Sequence, residues 1–308
     1  MVGYILKRAV FSLGVMFVVV TLTFFLMRLL PGDPFTTRPV APEIKENILT
    51  RYGLNQPLVT QYTGYLYNLA RLDLGPSLKY PGRSVNDIIK ESFPVSATVG
   101  LLALLLSIVL GVSLGVVSAA LRNKWPDRLV LVLATLGMSV PNFALGAGLI
   151  YIFALKFRLL PAAMSTSPVG LVLPALTLAA LPAAIMVRLV RTEMIEVLER
   201  DYIVAARARG LSSSSVLFRH ALPSALSGMV HYLSPLAATL LTGSFIVEKI
   251  FALPGLGQYY VTSVGNRDYN LVAGVTIFYT FVLLVSTFLA DVLIFLMNPQ
   301  SRVRDEVT

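Results

Sequence analysis

Six stretches of this chain run for about 20 residues or more with almost no charge: 11–30, 95–121, 129–155, 171–190, 227–247 and 271–297. An apolar run of about 18 residues or more reads as a membrane span. Hydrocarbon offers no partner to a backbone amide, so each run is expected to close its own hydrogen bonds as a helix. The expected fold class is therefore all-α, a membrane protein of six transmembrane helices. With 56% apolar and 13% charged residues among 308, a single soluble domain and a disordered chain are both excluded. The chain has no cysteine, which removes disulfides, iron–sulfur clusters and thiolate metal sites.

The first run follows Lys7 and Arg8 and is too long for a signal-peptide core of about 7–15 residues. It leads into the turn Leu30-Pro31-Gly32-Asp33-Pro34 with no small-residue cleavage site, so it is expected to stay as a span. Pro141, Pro174, Pro182 and Pro235 fall inside or near the ends of the later runs, and each removes one helical hydrogen bond. The third to fifth spans are expected to be kinked or interrupted. Lys7, Arg8, Arg122, Lys124, Arg128, Arg188, Arg191, Arg200, Arg207, Arg209, Arg219, Arg302 and Arg304 gather on one side of the six spans. Short basic connections face the cytoplasm. Both termini and the segment 191–226 are thus expected inside, and the long loop 31–94 outside. The net charge of +9 is scattered along the chain rather than gathered in one patch, which argues against nucleic acid as a partner.

The loop 31–94 carries helical spacing at 43–52 and 57–72, and Ser84-Val85-Asn86-Asp87 has the form of a capping box. Short helices packed over the bundle mouth are expected, as a plain cover, a docking surface or a lid. The spans themselves hold little that ionises. Asp291 in the last run is expected to be a structural carboxylate paired with Arg8, Arg188 or Arg191, and Arg28 to snorkel to the headgroups. One carboxylate without a relay argues against an ion-coupled transporter. His220 and His231 are too few for a zinc site. No G-x-x-x-x-G-K-[ST] loop is present, so any ATP-driven step belongs to another polypeptide, and no cofactor or metal is expected on this one. Gly111-Val112-Ser113-Leu114-Gly115 is a G-x-x-x-G, a small hint of close helix packing.

Between the fourth and fifth runs, Asp201 is an N-cap candidate, Ala205, Ala206 and Ala208 are compact helix formers, and Gly210 suits a C-terminal stop. A short helix over 202–209 with a small-residue face is expected, then a serine-rich turn ending at Leu222-Pro223. Arg207 and Arg209 would flank a contact made through that face; an ordinary solvated surface helix is the plainer alternative.

The pattern Ala205-Ala206, three residues, Gly210, then Leu222-Pro223 resembles the "EAA" loop of permease subunits of ATP-binding-cassette importers. Val204 stands at that motif's Glu position and His220 at its usual Ile position. Leu30-Pro31-Gly32-Asp33-Pro34, Asp73-Leu74-Gly75-Pro76-Ser77, Phe93-Pro94-Val95-Ser96-Ala97, Val247-Glu248-Lys249-Ile250-Phe251, Leu253-Pro254-Gly255-Leu256-Gly257 and Arg267-Asp268-Tyr269 are similar to segments of the B permeases of oligopeptide and dipeptide importers. The tail from Asn298 resembles that family's D-P-R-x-R ending. The resemblance implies a type I importer (MetI-like) permease fold: a first span 1–30, an extracytoplasmic helical loop 31–94, a five-helix core 95–297 with the coupling loop 191–226, and a cytoplasmic tail 298–308. It implies no enzymatic activity in the chain itself. Expected partners are a second homologous permease, two cytoplasmic ATPase subunits carrying ATP and magnesium, an extracytoplasmic peptide-binding protein, and membrane lipid. Asp201, Ala205, Ala206, Arg207, Arg209 and Gly210 form the implied coupling helix. Glu248, Pro254, Gly255 and Gly257 are candidates for an outer gate, a binding-protein contact or a loop-structuring turn. Oligopeptides are the first expectation for cargo, with dipeptides, nickel or other peptide-like solutes as alternatives in the family. A channel or facilitator that uses no ATP is the alternative outside it.

Overall fold

A computed structural model describes residues 2–29, 55–164 and 166–297. The helical spacing at 43–52 and the tail from Asn298 lie outside the described residues, as do the side chains of Asp291 and His231. In chain order the helices are α1 (Val2–Leu29), α2 (Leu58–Ala70), α3 (Val85–Ala120), α4 (Trp125–Ser139), α5 (Asn142–Leu149), α6 (Val172–Leu198), α7 (Asp201–Ala208), α8 (Leu222–Leu241), α9 (Phe245–Ile250), α10 (Leu256–Asn266) and α11 (Tyr269–Met297). Two π-helical segments, Ile150–Lys156 and Val216–Ala221, extend α5 and lead into α8.

Among the described residues, four helices are long and apolar enough to cross a membrane: Leu6–Leu29, Val85–Ala120, Val172–Leu198 and Tyr269–Leu289. The expected third span is broken. Trp125–Ser139 and the helix from Asn142 meet at 108° and make a fifth crossing if the bent pair is one span. The break falls at Pro141, whose ring disfavours the α region for the residue before it, and Val140 sits extended at φ −83° and ψ 121°. Pro182 and Pro235, by contrast, are carried inside continuous helices. The expected fifth span also differs from a single rod. It coincides with α8 and α9, separated by Gly243 at φ +87°.

The chain divides into two compact units, Met1–Pro94 with Gly255–Val282 and Val95–Pro254 with Leu283–Thr308. In the first, α2 packs on α1. The ring of Phe24, 1% exposed, lies 5.1 Å from that of Tyr62 and 5.4 Å from that of Tyr65. Burial pushes the Tyr65 phenol up to about 12. The Arg28 guanidinium lies 3.5 Å over the Phe24 ring, and its Nε donates to Gln61 Oε1 at 2.9 Å. The capping box forms, with Ser84 Oγ donating to Asp87 Oδ2 at 2.6 Å and accepting from the Asp87 amide at 3.1 Å. The helix it starts is no short lid element; it is α3, 36 residues long with Pro94 inside it.

Two of the sequence segments singled out above meet in this unit. Asp268, fully buried, accepts from Ser77 Oγ and from the amides of Leu78 and Lys79, each at 3.1 Å, and of Leu271 at 3.2 Å. Asn270 Nδ2 adds a bond to the Pro76 carbonyl at 2.9 Å. The turn 73–84 is therefore hung on the start of α11. Removing the carboxylate takes this acceptor from the Leu78 and Leu271 amides and the Ser77 hydroxyl, while the Lys79 amide keeps Ser77 Oγ at 3.2 Å. Asp268→Ala is expected to cost about 2 kcal/mol and to lower the melting temperature of the detergent-solubilised chain by several degrees, as differential scanning fluorimetry would record.

The second unit is built around α6. Fourteen of its 27 residues are buried, and glycines bring its neighbours close. A Cβ on Gly111 of α3 would stand 2.5 Å from Met186 Cβ, and one on Gly115 would stand 2.6 Å from Val190 Cβ. Gly137 of α4 is less tight: a Cβ there would stand 3.3 Å from the Ala180 carbonyl oxygen and from Ala184 Cβ. The G-x-x-x-G is thus a working helix contact of the small-residue kind. Toward its later end α6 joins a cluster of Val116, Met194, Val197, Ile203, Val216, Ala221 and Met229.

Candidate functional site

The short helix α7 begins immediately after α6. The cap position belongs to Arg200, extended at φ −73° and ψ 147°, and not to the expected Asp201, which occupies the first turn. There its charge suits the positive end of the helix. The stop is Gly210 at φ +81°. Its amide donates to the Arg207 carbonyl at 2.9 Å, and the Leu211 amide donates to the Ala206 carbonyl at 3.4 Å. This pair of bonds is the Schellman termination, which requires the left-handed residue that glycine supplies without strain.

The two faces of α7 differ. Ile203 is fully buried and Ala206 is 7% exposed, both packed into the cluster with Met194, Val197 and Val216. Asp201, Tyr202, Val204, Ala205, Arg207, Ala208, Arg209 and Gly210 are exposed. The small residues therefore do not form one surface: Ala206 anchors the helix while Ala205 and Ala208 face away. Val204, Phe218 and Leu211 are exposed apolar side chains at 56%, 59% and 40%. Arg200 Nη2 reaches Glu196 Oε1 at 2.9 Å, Arg122 Nη1 reaches Glu199 Oε1 at 2.7 Å, and the Tyr202 hydroxyl donates to Ser224 Oγ at 3.1 Å. The corner between α6 and α7 is held from several sides. The expected serine-rich turn is itself helical: Ser212 caps a turn at Ser213–Ser215 that runs into the π segment.

Sequence reasoning missed Asp127. This residue is 2% exposed and takes both nitrogens of the Arg191 fork, Nε to Oδ1 at 2.8 Å and Nη2 to Oδ2 at 2.9 Å. Ser118 Oγ donates to Oδ1 at 2.5 Å and the Asn123 amide to Oδ2 at 2.8 Å. Arg191 is thus engaged by Asp127, and Arg188, whose Nη2 donates to Thr135 Oγ1 at 2.7 Å, is engaged too. The available signal was the helix start at Trp125-Pro126-Asp127, with proline and an acid in the first turn.

Glu248 lies on α9 and is 2% exposed, so it is not part of an open mouth. Ser96 Oγ donates to its Oε1 at 2.7 Å. A Cβ on Gly243 would meet that same oxygen at 2.3 Å. Of the other expected loop residues, Pro254 is exposed in the same unit, while Gly255 and Gly257 are buried in the other unit at the start of α10. The four do not form one cluster within one unit.

Comparison with known proteins adds the following. The family described as the binding-protein-dependent transport system inner membrane component matches residues 111–303, and its N-terminal companion matches residues 1–100. A dipeptide transport system permease protein, DppB of Bacillus subtilis, is 43% identical over 301 residues, covering 97% of this chain and 98% of the relative. The oligopeptide transport system permease protein OppB of Salmonella typhimurium is 39% identical over 305 residues, covering 98% of this chain and all of the relative. Among solved structures, a chain of the MetNI methionine ABC transporter in an inward-facing conformation superposes with a TM-score of 0.58 at 18% identity. That superposition covers 68% of this chain and 96% of the other, and it places this chain in the same fold.

Proposed function

The chain belongs to the inner membrane components of binding-protein-dependent transport systems, and from that premise we propose that it is one of the two transmembrane permease subunits of an ATP-driven peptide importer. The observation that carries the coupling role is the division of α7: Ile203 and Ala206 are rooted in the core while Val204, Ala205 and Ala208 are open beside Arg207 and Arg209. A helix fixed on one side and bare on the other, with small side chains on the bare side, admits another protein's surface closely. In this reading that surface is a groove on a cytoplasmic ATPase subunit, and both termini and the segment 191–226 lie in the cytoplasm. Closure of the ATPases on ATP pushes α7, and the rooted face delivers the displacement to α6 and its neighbours. Discrete repacking of such rigid elements is how small shifts become alternating access.

A second permease of related fold completes the pathway, and an extracytoplasmic binding protein delivers the cargo on the extracytoplasmic side. Asp201, Arg207, Arg209 and Gly210 belong to the coupling helix. Glu248 shapes the closed end of the core from within, Pro254 lies on the outside of the same unit, and Gly255 and Gly257 set the turn that opens α10. The cargo is a peptide. Relatives that carry dipeptides and oligopeptides resemble the chain at 43% and 39% identity, and the segments around Arg71 to Ala97 favour the longer class.

The test is uptake of labelled dipeptide and pentapeptide into vesicles holding the chain with its ATPases, second permease and binding protein. Import that requires ATP is expected, with the pentapeptide preferred; flux without ATP would mean a channel. Ala205→Trp is expected to leave membrane insertion intact and to lower ATPase co-elution and uptake about tenfold, equivalent to about 1.4 kcal/mol of docking free energy. Normal uptake by this variant would remove α7 from the coupling path.

A further inference from the structure

We propose that the Asp127 carboxylate is a positioning group for transport: it fastens the turn between α3 and α4 to α6, so that displacement of α7 reaches α3, α4 and α6 as one body. The proposal rests on the importer reading above for its link to transport, but the clamp itself stands on geometry alone. Four donors converge on the two oxygens of Asp127, from three places in the second unit: Ser118 in the last turns of α3, the Asn123 amide in the turn, and the Arg191 fork on α6. Asn123 takes φ +66°, so the turn is held in a left-handed conformation that points its amide at the carboxylate. On the outside of the same corner, Arg122 pairs with Glu199 at the far end of α6. Between Arg191 and the end of α6 at Leu198 lies about 10 Å of helix, after which the chain enters α7.

A buried ion pair is a poor way to hold helices together if stability is all that is needed. Withdrawing two charges from water costs about as much as their attraction returns, and apolar side chains of the same volume usually serve as well. The glycine contacts of α3 with α6 already supply close packing between those two helices. A bidentate, four-donor carboxylate adds orientation: it admits one angle and one register between the turn and α6. Those are the quantities a lever must preserve while it is pushed. Lysine at 191 would keep the charge but not the fork.

The chain has no cysteine of its own, so Arg128→Cys on α4 and Thr192→Cys on α6, both at exposed positions, give a unique spin-labelled pair in the full-length permease. A single narrow distance distribution is expected by pulsed electron resonance in the parent protein. Asp127→Asn is expected to broaden it, Arg191→Lys to broaden it less, and Asp127→Glu to restore it in part. In the assembled transporter, Asp127→Asn is expected to lower the peptide imported per ATP hydrolysed by about fivefold or more, the lower end of ordinary coupling between sites, with ATP hydrolysis itself retained. A merely structural role would reduce the amount of assembled complex and leave that ratio alone. An unchanged distance distribution in Asp127→Asn, or an unchanged ratio, overturns the proposal. Should Asp127→Asn fail to accumulate, Arg191→Lys takes its place in both measurements, and an unchanged distribution or ratio in that variant overturns the proposal equally. A parent complex that imports nothing under ATP overturns the importer reading instead, and the distance measurement still decides the clamp.

Discussion

Gly115→Leu is expected to leave almost no folded permease in the membrane. Ordinary carbon contacts lie about 3.5–4.0 Å apart, yet the first added carbon on Gly115 already falls 2.6 Å from Val190 Cβ, 2.8 Å from Val190 Cγ1 and 3.0 Å from the Val187 carbonyl. None of these atoms is the loose end of a flexible side chain. Val190 is fully buried, and Val187 is 3% exposed, so relief requires α3 and α6 to move apart along their length. Overpacking by single methylenes costs about 1–3 kcal/mol; four carbons forced between two backbones cost more. Gly111→Leu meets Met186 Cβ at 2.5 Å and is expected to behave alike. Gly14 supplies the control, because a Cβ there meets nothing within 4 Å, and Gly14→Leu is expected to accumulate as the parent does. Fluorescence-detected size-exclusion of membrane extracts reads all three. Normal yields from Gly115→Leu would mean that the close approach of α3 and α6 is not present in the folded protein.

The second large effect belongs to Gly243→Val. Two independent costs fall on one residue. The backbone at φ +87° is a conformation that a β-branched residue resists, at about 1–2 kcal/mol. The new Cβ would also stand 2.3 Å from Glu248 Oε1 and 2.9 Å from Ser96 Oγ, and so would expel a buried carboxylate from its hydrogen bond. Displacing a buried carboxylate from such a bond costs about 1–3 kcal/mol. The corner between α8 and α9 is expected to come apart, with the melting transition lowered by about 10 °C. Gly243→Ala combined with Glu248→Ser removes the collision with the carboxylate but keeps the close contact with Ser96 and the backbone strain, and about half the loss should return. Full recovery would show that the left-handed backbone carries no cost here.

The spans were legible because their signal is additive over many residues. No single substitution hides a run such as 95–121, and the observed α3, α6 and α11 cover the runs read from sequence to within one residue. Where the chain breaks was much less legible. Prolines 94, 141, 182 and 235 all remove one hydrogen bond, but only Pro141 turns the chain sharply, and the choice is made by what packs around each helix. Gly243 escaped notice for a related reason: a glycine in an apolar run shows its φ only once Glu248 and Ser96 are placed around it. On α7 the helix and its stop could be read locally from Gly210. Its facing could not, because Ile203 and Val204 are both apolar neighbours pointing about 100° apart, and only the core decides that Ile203 turns inward. Asp127 and Arg191 stand 64 residues apart, and nothing in one chain pairs two charges over such a distance.

The π-wound segment Val216–Ala221, which lies between α7 and α8, has a consequence for how this chain tolerates change. A stretch bonded from each residue to the fifth beyond it houses one residue more than an α-helix spanning the same bonds. Deleting one residue there would let the segment tighten to ordinary winding without breaking the rod that continues into α8. The same deletion within α8 would instead rotate everything beyond it by about 100°. The segment is a place where the chain can shed a residue and keep its course, and length variation among relatives is expected to gather at 216–221 before it enters α8.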